Sequence, residues 1–315
     1  MITFTEAWTV TRVRIPWYPA SKDAPLPLGR NVHHDSRSLA YPWPRDPAAP
    51  RAVAMLHARR IPILDQLKIG SCTGNGEIGC IGTDPLFAAL PLSAPLLTED
   101  EAVALYSAAE KIDGGTGYPP EDAGSSGLSA ALAARNAGLI SGFVHCLSLA
   151  DVIDALQAYP ISIGINWYDS FDSPPGSGLL SISPSAQVRG AHEPMLRGVD
   201  PIAQEVFGDN SWGEGWGPLL GSFRMSFATL DRLLHEQGDG TVSLPLSVAP
   251  PVPVPVPPAP VPAPVPVPVP PAPVTDAADS ILWAAEGHWA NARHTGSNAQ
   301  AAQNMRAWAH AKGLL

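Results

Sequence analysis

Residues 250–273 consist only of proline, valine and alanine, and no other stretch constrains the chain so strongly. Proline locks φ and carries no amide proton, so such a run supports neither a helix nor a strand ladder. It reads as a polyproline II spacer, rising about 3.1 Å per residue and spanning roughly 70 Å if fully extended. The 36 prolines therefore report on linkers and arms more than on a core. The expected organisation is an irregular arm over 1–50, a globular domain over 51–249, a polyproline linker over 250–274 and a small two-helix module over 275–315.

In the module, one helix is expected from about 276 to 293 and a second, after a turn at His294-Thr295-Gly296, to about His310. Ser297-Asn298-Ala299-Gln300 fits a capping box before the second helix. A piece of ~40 residues is too small for a large core of its own. Its expected role is docking, on a partner protein or on copies of itself. In the arm, prolines from 16 to 50 preclude a long helix. Its aromatics Trp8, Trp17, Tyr18, Tyr41 and Trp43 read as pegs laid over the domain surface. The alternative is an inhibitory segment that occupies an active cleft. His33-His34-Asp35 reads as a polar turn rather than a metal site.

A formal charge of −10 argues against nucleic acid as a partner, since phosphate binding needs clustered Lys and Arg. No apolar run reaches membrane-spanning length, and the N-terminus lacks the basic start and apolar core of a secretory signal. The expected location is the cytoplasm, or a larger particle to which the module would tether the domain. Cys72, Cys80 and Cys146 are the three cysteines. They form no disulfide framework and no C-x-x-C pair, so neither a zinc site nor another cofactor is expected. What remains is a candidate nucleophile among reduced thiols.

Within 51–249, Thr98-Glu99-Asp100-Glu101 fits a capping box opening a helix over about 99–110. Ser126–Asn136 reads as a second helix, and a third starts at Ser148 and stops before Pro160. Ile161, Ile163, Ile165 and Trp167 alternate with smaller residues, a strand period. Short strands are expected around 188–199, 203–208 and 221–227. Helices first and strands second predict an α+β domain with two lobes.

The chemistry gathers at Gln66-Leu67-Lys68-Ile69-Gly70-Ser71-Cys72-Thr73-Gly74-Asn75. A thiol is a nucleophile only as thiolate, and a helix N-terminus and an imidazolium both lower its pKa. Residues 73–81 can be helical, which would put Cys72 in the first turn. His192 in Gly190-Ala191-His192 would supply the imidazole, and Asn210 in Asp209-Asn210-Ser211-Trp212-Gly213 would orient it. Gln66 would join the Cys72 amide in stabilising an oxyanion. Cys80 and Cys146 read as small buried hydrophobes. Gly74-Asn75-Gly76-Glu77-Ile78-Gly79 fits G-x-G-x-x-G, but no strand leads into it, so nucleotide binding is set aside.

These three blocks, over roughly residues 51 to 235, resemble the active-site blocks of papain-family cysteine peptidases, and the Cys-Thr-Gly-Asn form is more like the bacterial and bacteriophage branch. The resemblance implies a two-lobed papain-like fold, with the cleft between a helical and a β-rich lobe. It implies a Cys72–His192–Asn210 triad, Gln66 as oxyanion donor, and a peptide or protein substrate. Trp212 would shield the His–Asn hydrogen bond from water. Gly124 and Ser125 would pair with the substrate backbone, Ser125 standing where the family has a second glycine. The sequence departs from the pattern at Ala191, at Glu193-Pro194 and in the glycines at 74, 76, 79 and 82, each costing about 1 kcal/mol of helix propensity. A degenerate scaffold and an amidase acting on cell-wall peptides remain the rival readings.

Overall fold

The computed structural model describes residues 27–31, 39–45 and 52–247. The polyproline tract, the C-terminal helices with their capping box, and His33-His34-Asp35 lie outside the described residues.

The first helix, α1, spans Cys72–Ile81. Its glycine content is explained by contact and not by propensity. A Cβ on Gly74 would lie 2.2 Å from the Ala102 carbonyl, and one on Gly76 2.6 Å from the Glu193 carbonyl. Only bare backbone fits between the two lobes here, and all ten residues of α1 are buried. Two further helices, α2 (Glu99–Ile112) and α3 (Gly127–Asn136), pack on α1. Apolar positions spaced along them build the first core, with Ile78, Ile81, Leu105, Leu128 and Phe143 among its members. Ser126 caps α3 by accepting from the Ser129 amide. The expected cap at Thr98 differs. Thr98 stands at the helix start in extended conformation without a side-chain cap bond. The neighbouring Glu99 carboxylate is drawn inward instead, to the Asp65 amide (2.8 Å) and the Asn75 side chain (2.6 Å).

The second lobe is a nine-stranded sheet. Strands β1 (Met55–Leu56), β2 (Gly142–Cys146) and β3 (Ile161–Tyr168) are followed by β4 (Leu179–Leu180), β5 (Val188–His192) and β6 (Met195–Asp200). Then come β7 (Glu205–Asp209), β8 (Ser222–Ser226) and β9 (Asp239–Leu244). The main order is β2-β9-β3-β6-β7-β8-β4, with β1 on β6 and β5 on β3. Helices α4 (Leu149–Ala155) and α5 (Phe227–His235) complete the lobe. Its core centres on Ile161, Ile163, Ile165, Trp167, Leu230 and Leu233, all fully buried. Each such aliphatic side chain contributes about 1.5–3 kcal/mol. β3 pairs antiparallel with β6 at Ile161 and Ser162, then with β5 from Ile165 to Tyr168. Glu193-Pro194 is the break between β5 and β6 that permits this exchange. The missing Pro194 donor falls in this break, while the Pro194 carbonyl still accepts from the Ile163 amide (2.9 Å).

Candidate active site

Cys72 is the first residue of α1, so its backbone amide is among those that the helix itself cannot satisfy. Its thiol is fully buried, and burial, with Glu193 nearby, pushes it up to about 12. The backbone amides of Glu193 and Gly29 oppose that rise by donating to the sulfur. The Cys72 thiol therefore lies against the residue that follows His192.

His192 ends β5 and is fully enclosed. Its Nε2–H donates to Asn210 Oδ1 (2.7 Å), the same oxygen that accepts from the Ser211 amide (2.8 Å). Two donors on one oxygen fix the orientation of the Asn210 amide, and that oxygen requires the proton on Nε2. The neutral ring then carries its lone pair on Nδ1, which is buried and has no hydrogen-bond partner. Trp212 stacks on the imidazole (4.8 Å between centroids, 27° between planes), and Trp167 meets it edge-on at 4.8 Å. Burial lowers the His192 pKa to about 4; the Asn210 bond raises it in part, and Arg189 adds to the fall. Both groups of the pair are thus neutral in this enclosed state.

Gln66 is clamped to the Asn210 block. Its Oε1 accepts from Ser211 Oγ (2.6 Å), its amide donates to the Ser211 carbonyl (2.9 Å), and Nε2 donates to the Ile69 carbonyl (2.8 Å). One of the two Nε2 protons is so used, and the second is left for another acceptor. Asp209, just before Asn210, accepts from Arg59 (2.9 Å), Arg197 (2.8 Å) and Ser222 (2.7 Å). That ionic clasp pins the strand end from which Asn210 projects.

The cleft is filled by the chain itself. The Ser125 amide donates to the Gly29 carbonyl (2.8 Å), and the Asn31 amide donates to the Ser125 carbonyl (2.7 Å). From the opposite wall, the Ala191 carbonyl accepts from the Arg30 amide (3.3 Å). A Cβ on Gly29 would stand 1.7 Å from the Gly70 carbonyl, so glycine alone permits this approach. The expectation that the arm lies on the surface is thus corrected for 27–31, because backbone donors and acceptors on both walls draw it in, with an isolated bridge between Arg30 and Ser125. It holds for Tyr41 and Trp43, which pack on Phe143 and Tyr159, Trp43 also donating to Asp154 (2.6 Å). The Ser125 hydroxyl points away to Asp113 (2.7 Å), so the serine leaves its backbone free for this pairing.

Arg30 and Asp239 carry this site with no local motif to mark them. Arg30 sits in a proline-rich arm and Asp239 opens β9 in a Gly-Asp-Gly run, and long-range pairing alone makes them neighbours. Cys80 and Cys146 are buried, their thiols pushed well up by burial. No group of metal-ligating side chains occurs among the described residues.

The architecture is that of papain-like cysteine proteases. The digestive procathepsin L 3 of the Tenebrio molitor larval midgut is similar at 17% identity, over 70% of this chain and 76% of its own, with a TM-score of 0.51. Xylellain, a cysteine protease from Xylella fastidiosa, is similar at 15% identity, over 66% of this chain and 97% of its own, with a TM-score of 0.48. At 17% identity the likeness to the procathepsin establishes the fold alone. No protein-family model matches the sequence, and no curated protein matches it.

Proposed function

We propose that the protein is a cysteine peptidase that cleaves peptide bonds through a Cys72 thioester. The observation that carries this reading is the enclosed His192–Asn210 pair, whose hydrogen bond fixes the tautomer with the basic nitrogen unpartnered, beside the helix that begins at Cys72. His192 Nδ1 takes the thiol proton as sulfur attacks the carbonyl carbon. Charge on the carbonyl oxygen is met by the Cys72 amide and the second Nε2 proton of Gln66. Collapse of the tetrahedral intermediate expels the amine, which leaves with the proton from His192. Water then cleaves the thioester with His192 again as base and acid, releasing the carboxylic acid and the thiol. Asn210 holds the ring in place throughout, and Trp212 and Trp167 keep water from the pair.

With the cleft filled, Gly29 covers Cys72, so catalysis requires residues 27–31 to leave it. Their departure readmits water and relieves the burial that holds both groups neutral. The linker 250–274 and module 275–315 would tether the peptidase to a larger assembly, on the grounds of their composition.

The test is labelling with a thiol-directed peptidyl epoxide, read by intact mass, in wild type, Cys72→Ala and His192→Ala. A single adduct that disappears in both variants supports the reading. An adduct that survives Cys72→Ala overturns it. In the covered state labelling of wild type is slow, and a faster reaction in Arg30→Met supports displacement of the segment.

A further inference from the structure

The side chain of Arg30 enters a buried acidic pocket beside Cys72. Its Nη2 donates to Asp239 Oδ1 (2.7 Å) and to the Gln237 carbonyl (3.2 Å), and Nε lies 3.7 Å from Glu193 Oε2. Gly164 opens the floor, since a Cβ there would stand 2.0 Å from the Arg30 Nε. The side chain is 3% exposed. A peptide that brings a carbonyl to Cys72 must take the groove that 28–31 now fill, between Gly70, Ser125 and Ala191. The neighbour of the residue over the nucleophile then projects its side chain into this pocket.

We infer that this pocket is the specificity pocket of the peptidase and selects a guanidinium, so that the substrate carries arginine beside the residue attacked. Three features favour a guest over a permanent structural anchor. The pocket's cation comes from the same segment that must leave the cleft for any substrate to enter. Emptied, it leaves Asp239 and Glu193 facing each other, and of the charges acting on Glu193 only that of Arg30 favours ionisation. The fit of Arg30 is also incomplete. Its Nη1 and the Glu193 Oε2 are buried without a hydrogen-bond partner, as in an occupant seated well enough to hold the groove and poorly enough to be exchanged. The fork of donors favours arginine over lysine, and an uncharged side chain would leave the buried acids without a counter-charge.

This inference rests on the peptidase reading, and its test keeps the two apart. Three peptidyl epoxides, identical except for arginine, citrulline or leucine at the position next to the warhead residue, are reacted with the full chain carrying Arg30→Met. The rates of Cys72 alkylation are followed by intact mass. The arginine probe is expected to react about 100-fold faster than its citrulline isostere, in the range by which buried polar sites reject partners that lack the matching group. In Arg30→Met/Asp239→Asn the ratio is expected to fall towards one. Equal rates for the three probes, or a preference that survives Asp239→Asn, overturn the pocket while Cys72 still reacts. No alkylation by any probe, in protein whose circular dichroism matches wild type, overturns the peptidase reading and the pocket with it. If Arg30→Met does not fold, Arg30→Lys read with the same probes decides by the same criteria.

Discussion

Two buried ionic clusters flank Cys72 and His192, and they are built differently. At Asp209 both carboxylate oxygens are hydrogen-bonded, one to Arg59 and Arg197 and the other to Ser222, and the side chain is fully enclosed. Each partner belongs to the body of the domain. At Asp239 the cation arrives from residues 27–31, and polar atoms on both Arg30 and Glu193 stay unpartnered. A cluster made to hold a fold satisfies its atoms, because a buried unmatched group costs more than a bond returns. A cluster made to exchange its occupant carries that cost. The first cluster is scaffold for Asn210, and the second is a lock whose key is part of the chain.

Removing the acid of each cluster should therefore have unequal consequences. Asp209→Ala strands two arginines in the interior and frees the strand end that carries Asn210. A loss of about 3–5 kcal/mol is expected, read as a shift of the urea midpoint at constant slope. Asp239→Ala should cost clearly less, because 27–31 can swing out and carry Arg30 into water. Equal losses would make the second cluster as structural as the first and break the contrast.

Acidity distinguishes the clusters further. Burial raises the Glu193 carboxyl to about 8, with Arg30 opposing and Asp239 adding to the rise. In the unfolded chain the same group titrates near 4.3. The folded state therefore holds the proton more tightly, and this contribution is full below about pH 4 and lost as pH climbs through about 8. Each tenfold difference in proton affinity is worth about 1.4 kcal/mol, so the loss is on the order of a few kcal/mol. Glu77 and Glu99, each raised to about 7 by burial, act in the same direction. His192, lowered to about 4, acts oppositely, stabilising the fold as pH rises from about 4 to 6.5. Wild type should lose stability between about pH 4.5 and 8, with His192 offsetting part of the loss below about 6.5, and Glu193→Gln should lose measurably less over that window in thermal unfolding. A slope unchanged by Glu193→Gln would place the titration elsewhere.

The candidate site was legible because the signals that mark it are local. Cysteine after Gly-Ser, histidine after Gly-Ala and Asn-Ser-Trp-Gly each mark a site within a few residues. The helices over 99–112, 127–136 and 149–155 and the strand over 161–168 were legible for the same reason, since periodicity and capping act within one or two turns. What the sequence concealed is non-local. β2 and β9 pair with each other, Gly142 opposite Leu244, across a separation that no window spans. The single strand expected around 188–199 is two, divided at Glu193-Pro194. α5, between β8 and β9, opens on a Ser226 cap bond to Thr229, a local signal hidden by the strand pattern that runs straight into it. The acid pocket is the extreme case. Its arginine and its aspartate are 209 residues apart, and neither stands in a motif.

Arg30→Met sharpens the contrast from the side of the occupant. It removes one hydrogen-bonded charge from the pocket but leaves the segment able to solvate it by leaving, so a loss of about 1–3 kcal/mol is expected, below that of Asp209→Ala. The peptide groups of 27–31 should become the readily exchanging ones, with hydrogen exchange at residue 30 and at Asn31 accelerated while β7 stays protected. Unaltered exchange at Asn31 would mean that backbone pairing to Ser125, and not the acidic pocket, holds the segment in the cleft.

The smallest expected effect separates the two functions of Ser125. Its backbone faces the cleft, pairing with Gly29 and Asn31, while its hydroxyl donates to Asp113 (2.7 Å), which also accepts from Ser129 (2.5 Å). Ser125→Ala removes the hydroxyl and keeps the backbone. Because Asp113 retains Ser129, the loss should be about 1 kcal/mol, one net hydrogen bond, visible as a small shift in the urea midpoint. Exchange of the Asn31 amide should not change, since its acceptor is the untouched carbonyl. If that amide exchanges faster, the hydroxyl and the cleft are mechanically coupled, and Asp113 belongs to the apparatus that holds 27–31 over Cys72.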